Sequence, residues 1–309
     1  MADEVFDARG IRFVWLRCPK KRTLPAHVCG CLSEVFMIFT SRWAVTLSLL
    51  LLPLFHASAQ TYGTELNLGV QAYRNSHYDE AIQHFRKATE LNPSQPIAHL
   101  YLATACTSQY IPGVDSPDNK AFGELAIEQY LLVLGSDAAR GTKIASTKGV
   151  AYLYLNMKKF EDSKDYYRKA SGLDPDDPEP YYSIGVIDWT VAYQSRMEAR
   201  ARLEMRPDEN LNRNIPEQRK ACAELSARNN STIDEAIESL NKAIALRPDY
   251  DDAMAYVNLM YREKADLECD DLNSRARDLK TADDWVDKTM AVKKAKANKA
   301  SAPTAPSPQ

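Results

Sequence analysis

Glycine is scarce in this chain, with 11 among 309 residues, and histidine numbers five and cysteine six. The few glycines form no GxxxxGK(S/T), GxGxxG or GxSxG pattern, so phosphate loops, dinucleotide cradles and nucleophile elbows are not expected. His27, His56, His77, His84 and His99 make no HExxH frame, and no metal or other cofactor is expected. An excess of either charge is also missing, since 39 Lys+Arg face 42 Asp+Glu for a net charge of −3. Residues 1–59 carry seven basic against four acidic side chains, which leaves a mildly acidic body. Such a body offers no general pull toward nucleic acid, and no nucleic-acid partner is expected.

Long apolar runs are missing too. The longest, Trp43 to Phe55, falls short of the ~20 residues that span a bilayer. It follows Arg42 and leads to the small-residue exit Ala57-Ser58-Ala59, the layout of a secretory signal. The expectation is a signal peptide at 37–59, cleaved before Gln60, and a periplasmic or secreted protein. The alternative is an uncleaved membrane anchor. Residues 1–36 precede Met37 and read as a leader from an upstream start. Cys18, Cys29 and Cys31 fall in the first 59 residues, and only Cys106, Cys222 and Cys269 lie beyond. Their wide spacing implies no disulfide framework and leaves room for one bridge in an oxidising compartment. Cys106 falls on an apolar helix face and reads as a small buried hydrophobe.

What the chain does contain is self-similarity. Residues 62–95 hold two helical patterns joined by the polar turn Asn75-Ser76-His77. Leu66, Leu68, Gly69 and Ala72 mark the first, and Ala81, Ile82, Phe85, Ala88 and Leu91 the second. Pro93 closes the pair, because it cannot continue a helix. The frame returns without gaps at 144–177 through Ala151, Phe160, Ser163, Tyr167, Ala170 and Pro175. Between these copies lies a stretched one, opened by Leu102-Ala103 and closed by Ala126, Tyr130 and Val133. A fourth opens at Ile184-Gly185 and closes at Ala236, Leu240, Ala243 and Pro248 after a long insertion. A fifth, weaker copy begins near Asp251 and uses Ala282, Trp285 and Val286, with Asn258 where a small residue is usual.

Leu68-Gly69, Tyr78, Ala81, Phe85, Ala88 and Pro93 stand where the 34-residue tetratricopeptide repeat carries its marks, and the chain closely resembles that family over roughly 62–290. The resemblance implies an all-α, right-handed superhelical solenoid of antiparallel helix pairs. The expected pairs are 62–95, 96–137, 144–177, 178–248 and 251–290, with two insertions. Small residues at the helix crossings permit close approach, and stacking several repeats buries a continuous core. Residues 291–309, rich in Lys, Ala and Pro, read as a disordered tail. Ser116-Pro117 is a helix start, and Thr232 with Glu235 has capping-box spacing before Ala236. The acidic clusters at 174–177 and 249–252 lack the pattern of a calcium loop and read as helix caps.

The resemblance further implies a concave groove lined by the first helix of every repeat. Its positions here are Leu66, Val70, Tyr73 and Arg74; Leu100, Thr104 and Thr107; Lys148, Tyr152 and Asn156; Tyr182, Val186 and Trp189; and Leu259 and Arg262. Tyr152, Tyr182 and Trp189 are expected to share one stretch of this wall. Relatives that clamp acidic chaperone tails carry Lys and Asn at positions held here by Leu66 and Val70, which argues against that role. The expected function is a non-enzymatic scaffold outside the cytoplasm that binds a protein or peptide in the groove. The alternatives are an assembly subunit of a cell-envelope complex and, weaker, an enzyme with its site in the mixed-charge 190–230 insertion.

Overall fold

The computed structural model describes residues 4–6, 12–14, 52–211 and 214–301. It divides into two units, Met1–Leu52 and Pro53–Gln309. In the first, strands β1 (Glu4–Phe6) and β2 (Arg12–Val14) pair antiparallel, with Val5 opposite Phe13. The expected signal residues 37–51 lie outside the described residues, and residues 52–59 form the beginning of a helix.

The second unit is helical. Its helices are α1 (Leu52–Arg74), α2 (Tyr78–Leu91), α3 (Pro96–Gln109), α4 (Pro117–Leu134) and α5 (Arg140–Asn156). They continue as α6 (Phe160–Leu173), α7 (Pro178–Arg202), α8 (Pro216–Leu246), α9 (Asp251–Leu267) and α10 (Leu272–Ser301). From α2 onward each helix packs on the next, and α1 meets α2 through Gly69 against Phe85 and Tyr73 against Tyr78, giving five pairs; α3 also meets α5 as α7 meets α9. This two-layer stacking is an all-α solenoid.

The small residues sit where the helices approach. Ala81, Ala88, Ala126, Ala151, Ala170 and Ala243 have 0% of their surface exposed. At Gly69 an added Cβ would lie 2.5 Å from the Phe85 ring, and at Gly185 it would lie 2.4 Å from Leu240 Cγ. Any side chain there would force the pair of helices apart. The turns inside the two ungapped repeats are alike. Ser76 (φ 61°) and Lys158 (φ 59°) take the left-handed conformation at matching positions. The N–H of His77 donates to Ala72 O at 2.9 Å, and that of Lys159 to Tyr154 O at 2.9 Å, so both helices end in a Schellman turn.

The expected helix start at Ser116 is present, where the side chain accepts from Asn119 N–H at 3.2 Å. Asn119 also closes the preceding loop, donating to Ile111 O and Val114 O and accepting from Ile111 N–H at 2.7 Å. Asp177 caps α7 through the Glu179 N–H at 3.0 Å. The expected start at Thr232 is corrected: this residue lies inside α8, which runs unbroken from Pro216. No Gly or Pro interrupts that stretch, so the capping-box spacing has no helix to begin. Glu235 instead pairs across the layer with Lys164 at 2.8 Å and Arg168 at 2.6 Å.

The long insertion forms no separate module. It lengthens both helices of the fourth repeat, to 25 residues in α7 and 31 in α8. Cys222 of the lengthened α8 is bonded to Cys269, between α9 and α10, with Cα atoms 6.4 Å apart. Arg196 makes a bidentate pair with Glu263 at 2.7 and 2.8 Å, and Arg200 binds Asp266 at 3.1 Å and Glu209 O at 2.9 Å. Cys106 is buried, which pushes its thiol up to about 12. At the far end α10 continues to Ser301, so the tail expected from 291 begins as helix. Ala and Lys are good helix formers, and Lys296 ties this last stretch to Asp251 at 2.5 Å.

Candidate functional site: an aromatic wall on alternate helices

Tyr182, Val186, Trp189 and Tyr193 recur along α7 at spacings of four, three and four residues, which places them on one face. The parallel helix two places on, α9, carries Tyr256, and Tyr250 sits at its N-cap. These rings form a continuous chain. Tyr250 and Tyr182 have centroids 4.9 Å apart, Tyr182 meets Tyr256 edge-on at 5.7 Å, and Tyr256 meets Trp189 edge-on at 5.5 Å. Trp189 stacks on Tyr193 at 5.2 Å. Tilted and edge-on pairs are the favoured aromatic geometries, so the chain of rings is mutually supporting.

Cations cover both ends. The Arg247 guanidinium lies 4.3 Å from the Tyr250 ring centre and that of Arg196 lies 5.1 Å from Tyr193. Arg196 is fixed from behind by Glu263, whose own carboxyl is raised by burial and drawn back by that guanidinium. Burial raises the Tyr182 phenol, helped by Tyr256, and raises that of Tyr250 against the opposing Arg247. The phenols are thus neutral donors at any physiological pH. The four inner rings are half-buried, while Tyr193 is 37% exposed. Together they present broad apolar area with polar tips, on side chains whose rotamers are already set by one another.

The other expected groove residues have local employment. Tyr73 hydrogen-bonds Ser108 at 3.0 Å and packs on Tyr78. Leu66, Val70, Leu100 and Tyr152 pack against the core of the first repeats, whereas Tyr182 and Trp189 pack against the core built around α8 and α9. Thr104 and Thr107 donate to Leu100 O and Ala103 O within α3, both at 2.8 Å. Asn156 donates back to Tyr152 O at 2.7 Å. Lys148 is held by Asp177 at 3.0 Å and by Glu179. Burial lowers its pKa, and the two carboxylates more than restore it. Arg262 joins Asn258 at 3.0 Å and Asp283 at 2.7 Å, Arg74 is exposed, and Val186 and Leu259 are half-buried. Tyr152 therefore sits with the neighbouring core, one repeat away from the chain of rings.

Tyr193, Tyr250 and Tyr256 were not among the sequence candidates. Tyr193 follows Trp189 by one helical turn and Tyr256 precedes Leu259 by one, so helical spacing could have found both. Within the 190–230 insertion Arg196, Arg200 and Cys222 are engaged in internal contacts, whereas the Arg206–Asp208 and Lys220–Glu224 pairs are exposed. His84 binds Glu65 at 2.6 Å and His99 bridges Gln129 and Pro93 O at 2.7 and 2.8 Å. Among the described residues no cluster of His, Cys, Asp and Glu is arranged to hold a metal ion. No helix among the described residues is long and apolar enough to cross a membrane.

Residues 66–95 and 150–177 each match a family model of the tetratricopeptide repeat. No curated protein matches the chain by sequence. Among solved structures, a crystal structure of MamA protein is 14% identical, with a TM-score of 0.53 over 80% of this chain and 100% of that one. MamA from Desulfovibrio magneticus RS-1 is 14% identical over 76% of this chain and 96% of that one, with a TM-score of 0.49. YrrB, described as a TPR protein with an unusual peptide-binding site, is 14% identical over 75% of this chain and 90% of that one, at 0.45. At such identity the first likeness is one of fold. The helix pairs, the small residues at their crossings and the two matched segments agree: the chain is a tetratricopeptide-repeat protein.

Proposed function

We propose that this protein is a non-enzymatic scaffold outside the cytoplasm that holds a protein or peptide partner against the wall of Tyr182, Trp189, Tyr193, Tyr250 and Tyr256. The observation that carries the reading is the chain of rings itself. Tyrosine and tryptophan combine large area with few rotatable bonds and dominate binding hot spots. A half-exposed run of them across two parallel helices is a costly feature for a surface that meets only water. The location rests on Arg42, the Trp43–Phe55 run and Ala57-Ser58-Ala59, and the Cys222–Cys269 bond supports it, since such bonds persist in oxidising compartments.

A photo-reactive phenylalanine at position 193, in the native cell, should cross-link the partner, while the same group at Leu131 on α4 should not. With the partner identified, Trp189→Ala should weaken binding about thirtyfold, which corresponds to ~2 kcal/mol. A variant that binds normally but melts much earlier would make Trp189 a packing residue and remove the wall from the binding site. The mature N-terminus should be Gln60. Cytoplasmic protein that retains residues 1–36 on intact mass spectrometry would defeat the location.

A further inference from the structure

We infer that two copies of this chain pair through the uncovered flank of α10, the two helices running antiparallel about an axis near Lys288. The surface is separate from the chain of rings, and the inference does not depend on what the rings bind. In each of the first four repeats the second helix carries a large residue four places after the small one at the crossing. These residues, Phe85, Tyr130, Tyr167 and Leu240, are at most 4% exposed. The helix that follows helps to cover them, as Tyr101 of α3 does for the Phe85 ring at 5.4 Å. In α10 the crossing residue is Ala282, wholly buried, and the place four residues on belongs to Val286. Val286 is 37% exposed and Met290, one turn further, is 62% exposed. Among the described residues no helix follows α10, so the stacking surface of the fifth repeat is left open.

The sequence of this flank says what covers it. Leu279, Asp283, Val286, Met290, Lys293 and Ala297 alternate at spacings of four and three, the seam of a helix that pairs with another helix. From Leu279 to Ala297 the seam runs ~27 Å, about five turns. Its charges are ordered: Asp283 lies on one side of the apolar pair Val286 and Met290, and Lys293 on the other. A parallel copy would set Asp283 against Asp283 and Lys293 against Lys293. A reversed copy sets Val286 against Met290 and Asp283 against Lys293, twice over by symmetry. The whole helix is divided in the same way. Residues 278–287 hold four Asp and one Lys, a net of −3, and residues 288–299 hold five Lys and no acid. The boundary falls at the proposed axis, so the acidic half of each helix meets the basic half of the other. Lys288 lies over the Trp285 ring and Lys296 binds Asp251, while Lys293 and Lys294 are exposed. Asp283 holds Arg262 at 2.7 Å and is itself 69% exposed, open to a second cation. Such a two-fold pair uses one surface twice and closes on itself, whereas stacking on another copy's first repeat would add chains without limit.

The test is sedimentation equilibrium of the full chain over a range of protein concentrations, where a reversible balance of monomer and dimer is expected. Met290→Asp sets a carboxylate against Val286 of the second copy and should raise the dissociation constant about tenfold or more. Its melting midpoint, read where both proteins are monomeric, should stay unchanged because the side chain projects from the single chain. Asp283→Lys should weaken pairing about tenfold by setting Lys against Lys293. Asp283→Lys with Lys293→Asp should restore it, since an antiparallel pair rebuilds both contacts and a parallel one rebuilds neither. A chain that stays monomeric at every concentration overturns the inference, and so does a dimer indifferent to Met290→Asp. A double variant as weak as Asp283→Lys alone also overturns it, because the flank then meets a parallel copy or a different surface. Growth beyond two copies overturns it as well and assigns the flank to the first repeat of the next chain.

Discussion

In the first repeat, Ala81 and Ala88 are wholly buried and the Phe85 ring fills the space left by Gly69. The fourth repeat makes the same contact, with Leu240 against Gly185, but both of its helices run on past it. Beyond that crossing α7 and α8 have no standard repeat surface to lean on. There the structure supplies the Cys222–Cys269 bond and the group of Arg196, Glu263, Arg200, Asp266 and Arg275. The first repeat is held by shape, whereas the elongated one adds bonds and charge where repeated shape runs out. Shape complementarity needs a regular neighbour, but an ion pair or a disulfide needs only one opposite group.

The comparison can be broken from either side. The largest effect should come from Glu263→Ala, which removes the bidentate partner of the Arg196 guanidinium and leaves it Asp266 at 3.5 Å. Removing one partner of a buried pair typically costs about 3–5 kcal/mol, read here as a fall in the denaturant midpoint. Next is Cys222→Ser. Opening a loop with a sequence separation of 47 should cost roughly 4 kcal/mol by the chain-entropy relation. Hydrogen exchange should quicken in α8 and α9 and stay unchanged in α2. Equal quickening throughout would mean the two regions are not distinct. Ala81→Leu should cost about 1–3 kcal/mol by overpacking the first crossing, and an unchanged melting midpoint would disprove the assigned register.

A pH series sharpens the contrast. Asp188 of α7 is 1% exposed and bonds Lys164 at 2.5 Å. Burial pushes its carboxyl up to about 7 from 3.8, against the pull of Lys164 and with some help from Glu235 and Glu161. A native pKa above the unfolded one means that folding takes up a proton between these values. The contribution is fully present below about 3.8 and is lost as pH rises through about 7. Relative to Asp188→Asn, the native protein should therefore gain stability as pH falls from 8 to 5. A constant difference would mean that Asp188 is ionised throughout. The smallest effect is expected from Lys158→Gly, which relieves a left-handed residue at φ 59° and should stabilise by about 0.5–1 kcal/mol.

The ungapped repeats were legible because each mark depends on nearby sequence: Gly69 and Phe85, Ala81 and Ala88, the turn at Ser76. The fourth repeat was harder for a physical reason. Its 190–230 segment has helical composition but no Gly to announce an end; α7 ends at Arg202, and the left-handed residue just beyond it is Glu204, with φ 56°. The pairing of Cys222 with Cys269 depends on how α8 crosses the α9–α10 turn, which spacing alone does not reveal. Tyr182 and Trp189 were found through helical spacing and the family's groove. Their link to Tyr250 and Tyr256 required the fifth repeat, whose marks are the weakest. Tyr152 was placed with them by its repeat position; its half-buried ring packs against the core of the first repeats, as Tyr182 and Trp189 pack against the next.

Lys164 has a consequence for how this array can evolve. Its ammonium is 5% exposed and is bound by Asp188 and Glu235, both contributed by the following repeat. The third repeat thus carries an address that the fourth alone answers. The first repeat has Ile82 at the matching place, which asks nothing of its successor but apolar surface. Duplicating the first repeat would insert a unit that stacks on almost any neighbour. Duplicating the third would set one Lys164 against the third repeat's own opening helix, with no Asp188 to receive it. Growth of the solenoid by copying is open at its beginning and closed at the junction before the fourth repeat.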